Sequence, residues 1–245
     1  MKKKAAIWLF CLIQVVTLCA APVMKADAAQ NKAAKKIISV VYDDSGSMWD
    51  ENDSWAAANY AMQAFAALLN ADDEMYITYM SDVGTNQEGA KSVNLSDPQG
   101  AVNAIKADSQ GGGGTPLKSV EIALDKLESV KSTDETDQYW LVILTDGAMS
   151  ANGAKAKNLQ SLLNSCKGMK MSNGSVLRTY YMGIGNAAAV NDDPGKGLYS
   201  IMAGFDIVPA LSDVANKVSG RMKFASGEIN QVDGKTVKLY SEIPL

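Results

Sequence analysis

Five oxygen-bearing side chains, set in three short segments, are the residues of this sequence best suited to chemistry. Asp43, Ser45 and Ser47 form an Asp-x-Ser-x-Ser pattern, Thr115 precedes a proline, and Asp146 stands in a Thr-Asp-Gly segment. These side chains offer hydroxyl and carboxylate oxygens, and neither nitrogen nor sulfur. Because oxygen ligands suit hard divalent cations, the pattern predicts a site for Mg²⁺ or Mn²⁺, with Ca²⁺ less favoured.

The charges of these ligands indicate what the cation would do. Ser45, Ser47 and Thr115 are neutral and would bind the cation directly, whereas Asp43 and Asp146 would act directly or through bound water. Since neutral ligands leave much of the positive charge uncompensated, we expect a protein partner to supply an Asp or Glu carboxylate to the metal. The sequence has no histidine, which excludes Ser-His-Asp and Cys-His nucleophile systems, and no general base is evident. An enzyme is therefore not expected.

Alternating strand and helix patterns must position these segments. Strand patterns occur at residues 37–42, 75–80, 139–144 and 176–184, and the run at 37–42 is typical of a strand covered on both faces. Segments with helical spacing of apolar residues occur at 55–70, 117–127 and 154–167. The alternation predicts an α/β fold with a doubly wound, mainly parallel central β-sheet flanked by helices. Such sheets bind ligands beyond the carboxyl ends of their strands.

Shorter elements complete the predicted chain. They are an edge strand at 92–95, a helix from Asp97 to residue 107, a strand at 205–208 and a final helix at 211–222. Residues 229–232 and 236–240 flank an Asp-Gly pair, which is a strong signal for a β-hairpin. A two-stranded hairpin alone is marginally stable in water. Residues 225–245 are therefore expected to pack on the domain or to begin a further module.

The sequence resembles a von Willebrand factor type A (VWA) domain over residues 34–224. Asp43, Ser45 and Ser47 match the D-x-S-x-S motif of the family, Thr115 matches its later threonine, and Asp146 matches its aspartate in T-D-G. The resemblance implies a Rossmann-like VWA fold, a metal-ion-dependent adhesion site at these positions, and ligand binding through the metal. Each motif alone is a common turn composition, so the prediction depends on all three occurring together at the ends of predicted elements.

Residues beside the Asp-x-Ser-x-Ser pattern are candidates for partner contacts. We expect Asp44, Met48 and Trp49 to form an exposed rim, with the Asp44 carboxylate facing solvent and taking no part in metal coordination. Trp49 lies on a loop outside any periodic apolar face, which suits a residue that anchors a partner. The alternative is that Trp49 packs over the first helix.

The N-terminus has the order of a secretory signal peptide, expected over residues 1–28. Lysines at positions 2–4 precede an apolar stretch that runs to about residue 21, and Ala26-Asp27-Ala28 is a small-x-small cleavage pattern. The alternatives are an uncleaved anchor, for which the stretch is shorter than the ~20 residues of a spanning helix, and a lipoprotein modified at Cys19. We expect a secreted or envelope-associated protein with no membrane span after cleavage.

Composition and charge narrow the function further. Cleavage after Ala28 would change the net charge from −4 to −7, so nucleic acid is not an expected partner. It would leave Cys166 as the one remaining cysteine, on an apolar helical face that predicts burial. The expected function is adhesion or complex assembly. The alternatives are a metal-assisted hydrolase or phosphoryl-transfer enzyme, and a sensory or assembly module of a larger envelope system.

Overall fold

The computed structural model describes residues 34–50, 54–67, 69–85, 89–105, 114–184, 193, 196–201, 210, 214, 222–232 and 235–244. The strands are β1 (Lys36–Tyr42), β2 (Glu74–Tyr79), β3 (Lys91–Val93), β4 (Gln138–Thr145), β5 (Arg178–Ile184), β6 (Leu198–Ile201), β7 (Met222–Val232) and β8 (Lys235–Pro244). The helices are α1 (Gly46–Asp50), α2 (Ser54–Ala67), α3 (Met80–Gly84), α4 (Pro98–Ile105), α5 (Lys118–Ser129) and α6 (Leu159–Cys166). The expected signal peptide lies outside the described residues.

A six-stranded sheet, in the order β3-β2-β1-β4-β5-β6, forms the centre of the fold. β3 is an antiparallel edge strand, and the other neighbours pair in parallel. The order runs outward in both directions from β1 and β4, as expected of a doubly wound sheet. The predicted fold class is therefore confirmed. Within the described ranges, no helix is both long enough and apolar enough to cross a membrane.

Two hydrophobic clusters cover the sheet, because successive side chains of a strand point to opposite faces. In β1, Ile38 and Val40 belong to a cluster shared with α2, and Ile37 and Val41 belong to a cluster shared with α5 and α6. Every residue of β1 is buried, which explains why five of its seven residues are apolar. The predicted burial of Cys166 is confirmed, since its side chain lies in the second cluster and is 2% exposed.

α6 begins later than its apolar pattern predicts, because backbone N–H groups before it donate to a side chain on α5. The carboxylate of Glu121 accepts the N–H groups of Lys155, at 3.0 Å, and Ala156, at 2.8 Å, outside any helix. The helix instead begins after Asn158, whose side-chain oxygen accepts the N–H of Ser161 at 2.8 Å. β6 was not predicted from the sequence.

β7 and β8 form the predicted C-terminal β-hairpin, and both strands are longer than the sequence pattern indicated. β7 and β8 pair antiparallel, with Ile229 opposite Val237 and Val232 opposite Lys235. Met222, predicted at the end of a helix, is instead the first residue of β7. The predicted strand at 205–208 lies outside the described residues, as does nearly all of the predicted helix at 211–222.

Candidate metal-binding site

Parallel pairing of β1 and β4 brings two of the three predicted segments together. Tyr42 lies opposite Leu144 in the register, and the N–H of Asp43 donates to the carbonyl of Leu144 at 2.9 Å. Asp43 therefore begins the loop after β1, beside the loop that holds Asp146 after β4. The strand order reverses between these strands, and open α/β sheets bind ligands at this point.

The carboxylate of Asp43 is fully buried and organises the loop around it. One oxygen accepts the N–H of Ser45 at 3.0 Å, and the other accepts the hydroxyl of Thr145. Burial raises the pKa of Asp43 above its usual value; hydrogen bonds from Ser45 and Thr145 oppose this rise, and the charge of Asp44 adds to it. A nearby cation would favour the ionised form of this carboxylate.

A chain of hydroxyl contacts joins the first segment to the third. The hydroxyl oxygens of Ser45 and Ser47 lie 3.2 Å apart, and the Ser47 hydroxyl donates to Oδ1 of Asp146 at 2.9 Å. Ser45 is buried, whereas Ser47 is exposed. The oxygens of this chain therefore extend from the buried end of β1 to the surface.

Thr115 is held against the loop after β4. Its hydroxyl donates to the carbonyl of Ala148 at 3.0 Å, and its carbonyl accepts the N–H of Ser150 at 2.9 Å. Gly147 leaves little space here, since a Cβ at that position would lie 3.2 Å from Cγ2 of Thr115. Hydrogen bonds thus connect Asp43 to Ser45, Ser45 to Ser47, and Ser47 to Asp146. Thr115 packs against Gly147, the residue that follows Asp146.

The chemistry of these residues fits a hard divalent cation. Their side chains provide two carboxylates and three hydroxyls, all of them oxygen donors of the kind that Mg²⁺ and Mn²⁺ prefer. Among the described residues, no group of three or more His, Cys, Asp or Glu side chains could hold a metal. A cation here would therefore depend on the serine and threonine hydroxyls as well as on the carboxylates.

The prediction that Asp44, Met48 and Trp49 form an exposed rim is wrong for two of these residues. Asp44 is 2% exposed because its carboxylate turns inward and accepts two hydrogen bonds from Ser81. Met48 is fully buried because it packs in the hydrophobic cluster that includes α2. Trp49 lies in α1, and its side chain is outside the described part of the structure.

Three residues that contribute to this region were not assigned a role from the sequence. The Thr145 hydroxyl donates a hydrogen bond to Asp43, and the Ser81 hydroxyl donates one to Asp44. Gly147 has no Cβ and so leaves room for the Thr115 side chain. Thr145 and Gly147 carry a local signal, since they flank Asp146. Ser81 has none, because it lies 37 positions away from Asp44 along the chain.

No protein-family profile matches the sequence, and a search of curated proteins finds no match. Solved structures do match. Proximal thread matrix protein 1 from the mussel byssus aligns with a TM-score of 0.53 at 14% identity, over 76% of this chain and 48% of that structure. A von Willebrand factor type A protein from Catenulispora acidiphila aligns with a TM-score of 0.51 at 16% identity, over 79% and 44%.

A pilus adhesin, SpaC from Lactobacillus rhamnosus GG in an open conformation, also aligns. Its TM-score is 0.51 at 16% identity, over 78% of this chain and 30% of the adhesin. The chain therefore spans less than half the length of each of these structures. Identities this low establish the architecture alone. The six-stranded sheet and these alignments together show that the chain has a von Willebrand factor type A fold.

Proposed function

We propose that this chain is a secreted or envelope-associated binding module that attaches a protein partner through a divalent cation. The main support for this proposal is a hydrogen-bonded series of residues that runs from Asp43 through Ser45 and Ser47 to Asp146. This series lies at the edge of the sheet where β1 and β4 end. Thr115 packs beside this series against Gly147. The proposed cation is Mg²⁺ or Mn²⁺, and the proposed activity is adhesion or complex assembly without catalysis.

The role of each residue follows from its charge and position. Ser45, Ser47 and Thr115 would hold the cation as neutral ligands, while Asp43 and Asp146 would orient hydroxyls and water or bind directly. When bound, the cation would supply positive charge for a carboxylate of the partner. The buried Asp43 carboxylate accepts bonds from Ser45 and Thr145, so its contribution is to fix the loop that presents the hydroxyls.

A cavity beside Thr115 offers space for side chains of a partner. A cavity of about 350 Å³ adjoins Thr115 and is bounded by Val83, Pro116, Lys118 and Ser150, among others. Among the residues that the structure describes around this cavity, Lys118 alone is ionisable. Side chains adjacent to a partner's Asp or Glu would have room here. The acidic character of the mature chain is consistent with a protein partner and not with nucleic acid.

The signal-like N-terminus supports the proposed compartment. Residues 1–28 have the charged, apolar and small-residue regions typical of a secretory signal peptide. One structure with the same fold is a pilus adhesin, which is consistent with action at a cell surface. The proposed site of action is therefore outside the cytoplasm, on the surface or in the envelope.

The decisive experiment is a calorimetric and thermal-melt titration of the mature chain with Mg²⁺, Mn²⁺ and Ca²⁺. A cation that binds the native state alone raises the free energy of unfolding, by about 2.7 kcal/mol at a hundred times its Kd. We expect saturable stabilisation by Mg²⁺ or Mn²⁺, and its loss in Asp146→Ala, because this change removes a carboxylate from the site.

Asp125→Ala is the matched control. It removes a carboxylate from α5 whose side chain is 61% exposed, and it should leave the titration unchanged. Stabilisation that survives Asp146→Ala would locate the cation elsewhere. Absence of stabilisation in the unaltered chain, with all three cations, would reject the proposed metal-dependent function.

A further inference from the structure

The carboxylate of Asp44 binds α3 instead of facing solvent. Its Oδ1 accepts the N–H of Ser81 at 2.8 Å, and its Oδ2 accepts the Ser81 hydroxyl at 2.5 Å. Asp44 is 2% exposed, and Ser81 lies in the first turn of a short helix. Hydrogen bonds to a buried carboxylate are stronger than those between neutral groups, so this is a firm connection between two separate segments.

The connection fastens the loop after β1 from a second side. Asp43 ties the loop to β4 through Leu144 and Thr145. Asp44 ties the same loop to α3, on the opposite side of β1, next to β2. The Asp44 backbone leads directly into Ser45, so both flanking residues of Asp44 belong to the proposed metal site. Rotation of this loop would displace the Ser45 and Ser47 hydroxyls together.

The helix at the other end of this connection is itself anchored. Met80 is fully buried and Val83 is 5% exposed, so α3 is fixed by its apolar side chains. Ser81 presents its N–H and its hydroxyl to Asp44 from this fixed position. α3 can therefore act as a support for the loop, and not merely as a segment that follows β2.

We propose that Asp44 is a positioning residue for the metal site, with Ser81 as its anchor, so that the conformation of α3 sets the cation affinity. This inference rests on the proposed function, because it assumes that Ser45 and Ser47 bind the cation. Asp44 itself does not contact the metal in this arrangement. Loss of the anchor would leave the ligands present but less well placed, which lowers affinity without removing a donor.

The test is the Mn²⁺ affinity of the full mature chain, measured by calorimetry and by the electron paramagnetic resonance signal of free Mn²⁺. Ser81→Ala removes one hydrogen bond to Asp44, and we expect Mn²⁺ binding about five- to twentyfold weaker. Ser81→Thr keeps the hydroxyl and should restore the affinity. Asp44→Asn keeps the size of the side chain and should also weaken binding, which covers the case in which Ser81→Ala fails to fold.

Thr85→Ala is the matched control, at the residue that caps the C-terminus of α3. The Thr85 hydroxyl donates to the carbonyls of Ser81, at 3.0 Å, and Asp82, at 3.2 Å, and neither bond involves Asp44. Its Mn²⁺ affinity should match that of the unaltered chain. Melting in EDTA reports the purely structural cost of each change, independently of the metal.

The outcomes separate this inference from the proposed function. If Ser81→Ala and Asp44→Asn lower the melting temperature in EDTA but bind Mn²⁺ normally, the connection is structural only and the inference is overturned. If the double variant Ser81→Ala/Asp44→Asn loses no more Mn²⁺ affinity than either single variant, the two residues act as one unit, as proposed. Failure of the unaltered chain to bind Mn²⁺ would overturn the metal site and this inference together.

Discussion

At Gly147, an added Cβ would lie 3.2 Å from Cγ2 of Thr115 and 3.5 Å from its hydroxyl oxygen. The methyl group of Thr115 would have to shift by a few tenths of an ångström, and its hydroxyl would shift with it. Overpacking of this kind costs about 1–3 kcal/mol where the surroundings cannot adjust. Gly147 is therefore a residue through which the position of Thr115 can be tested without changing a proposed metal ligand.

We expect Gly147→Ala to weaken Mn²⁺ binding by roughly three- to tenfold, because the displaced hydroxyl fits the cation less well. The measurement is a calorimetric titration, with melting in EDTA as a check on folding. Thr115→Ser provides the matched comparison, since it keeps the hydroxyl and removes the methyl group that Gly147→Ala would crowd. Binding in the double variant should be stronger than in Gly147→Ala alone, and equal affinities in all forms would contradict the crowding.

Residue types were more predictable from the sequence than side-chain directions. The oxygen donors and their order along the chain are visible in the sequence, and the structure brings Asp43, Ser45, Ser47 and Asp146 to one edge of the sheet. The inward turn of Asp44 could not be predicted. It depends on Ser81, which lies 37 positions along the chain and becomes a neighbour only when β1 and β2 pair.

At the scale of the elements, α6 places a thiol where solvent hardly reaches it. Cys166 is 2% exposed and packs in the cluster with Leu162. Burial raises the pKa of Cys166, while hydrogen bonds involving Ser165 and Thr179 partly lower it, and the charge of Glu128 raises it further. Because the thiolate is the reactive form, both burial and the raised pKa slow its alkylation.

We expect iodoacetamide to modify Cys166 in the native mature chain at least about tenfold more slowly than in guanidinium, measured by mass spectrometry over time. The native rate should continue to rise with pH above 8.5, where an ordinary free thiol is already half ionised. Equal native and denatured rates at one pH would show that α6 opens readily, contrary to its place in the core.

Elements buried on both faces were predicted well, because their composition follows directly from burial. β1 and β4 consist mostly of apolar residues, and almost every residue in them is inaccessible to solvent. Elements limited by distant contacts were predicted less well. The start of α6 depends on Glu121, which binds the backbone at Lys155 and Ala156, and β6 has only four residues in which to show a period.

For the molecule as a whole, the order of the strands explains why one edge of the sheet collects the polar loops. The chain proceeds from β1 outward to β3, and then from β4 outward to β6. The loops after β1 and β4 consequently have no crossover helix between them, so their side chains can meet. Alternation of apolar segments predicted this layout, although it could not fix which strands would be neighbours.

The hairpin of β7 and β8 allows a test of how much of the molecule the proposed metal site requires. The six strands of the central sheet pair with one another, whereas β7 and β8 pair with each other in a separate two-stranded sheet. Removing residues 222–245 therefore takes no hydrogen-bonded neighbour from β1 or β4. Features that share no partner generally contribute independently to stability and binding.

We expect the mature chain ending at residue 221 to bind Mn²⁺ within about twofold of the full mature chain, because the site and the hairpin share no strand. Calorimetry gives the affinity, and circular dichroism with melting in EDTA reports whether the central sheet remains folded. Asp146→Ala in the shortened chain should abolish binding, as in the full chain. A ribbon that shares no strand with the central sheet is not expected to alter the loop that carries Ser45 and Ser47. A tenfold loss of affinity in a shortened chain that still folds would contradict this independence and would connect the hairpin to the proposed metal site.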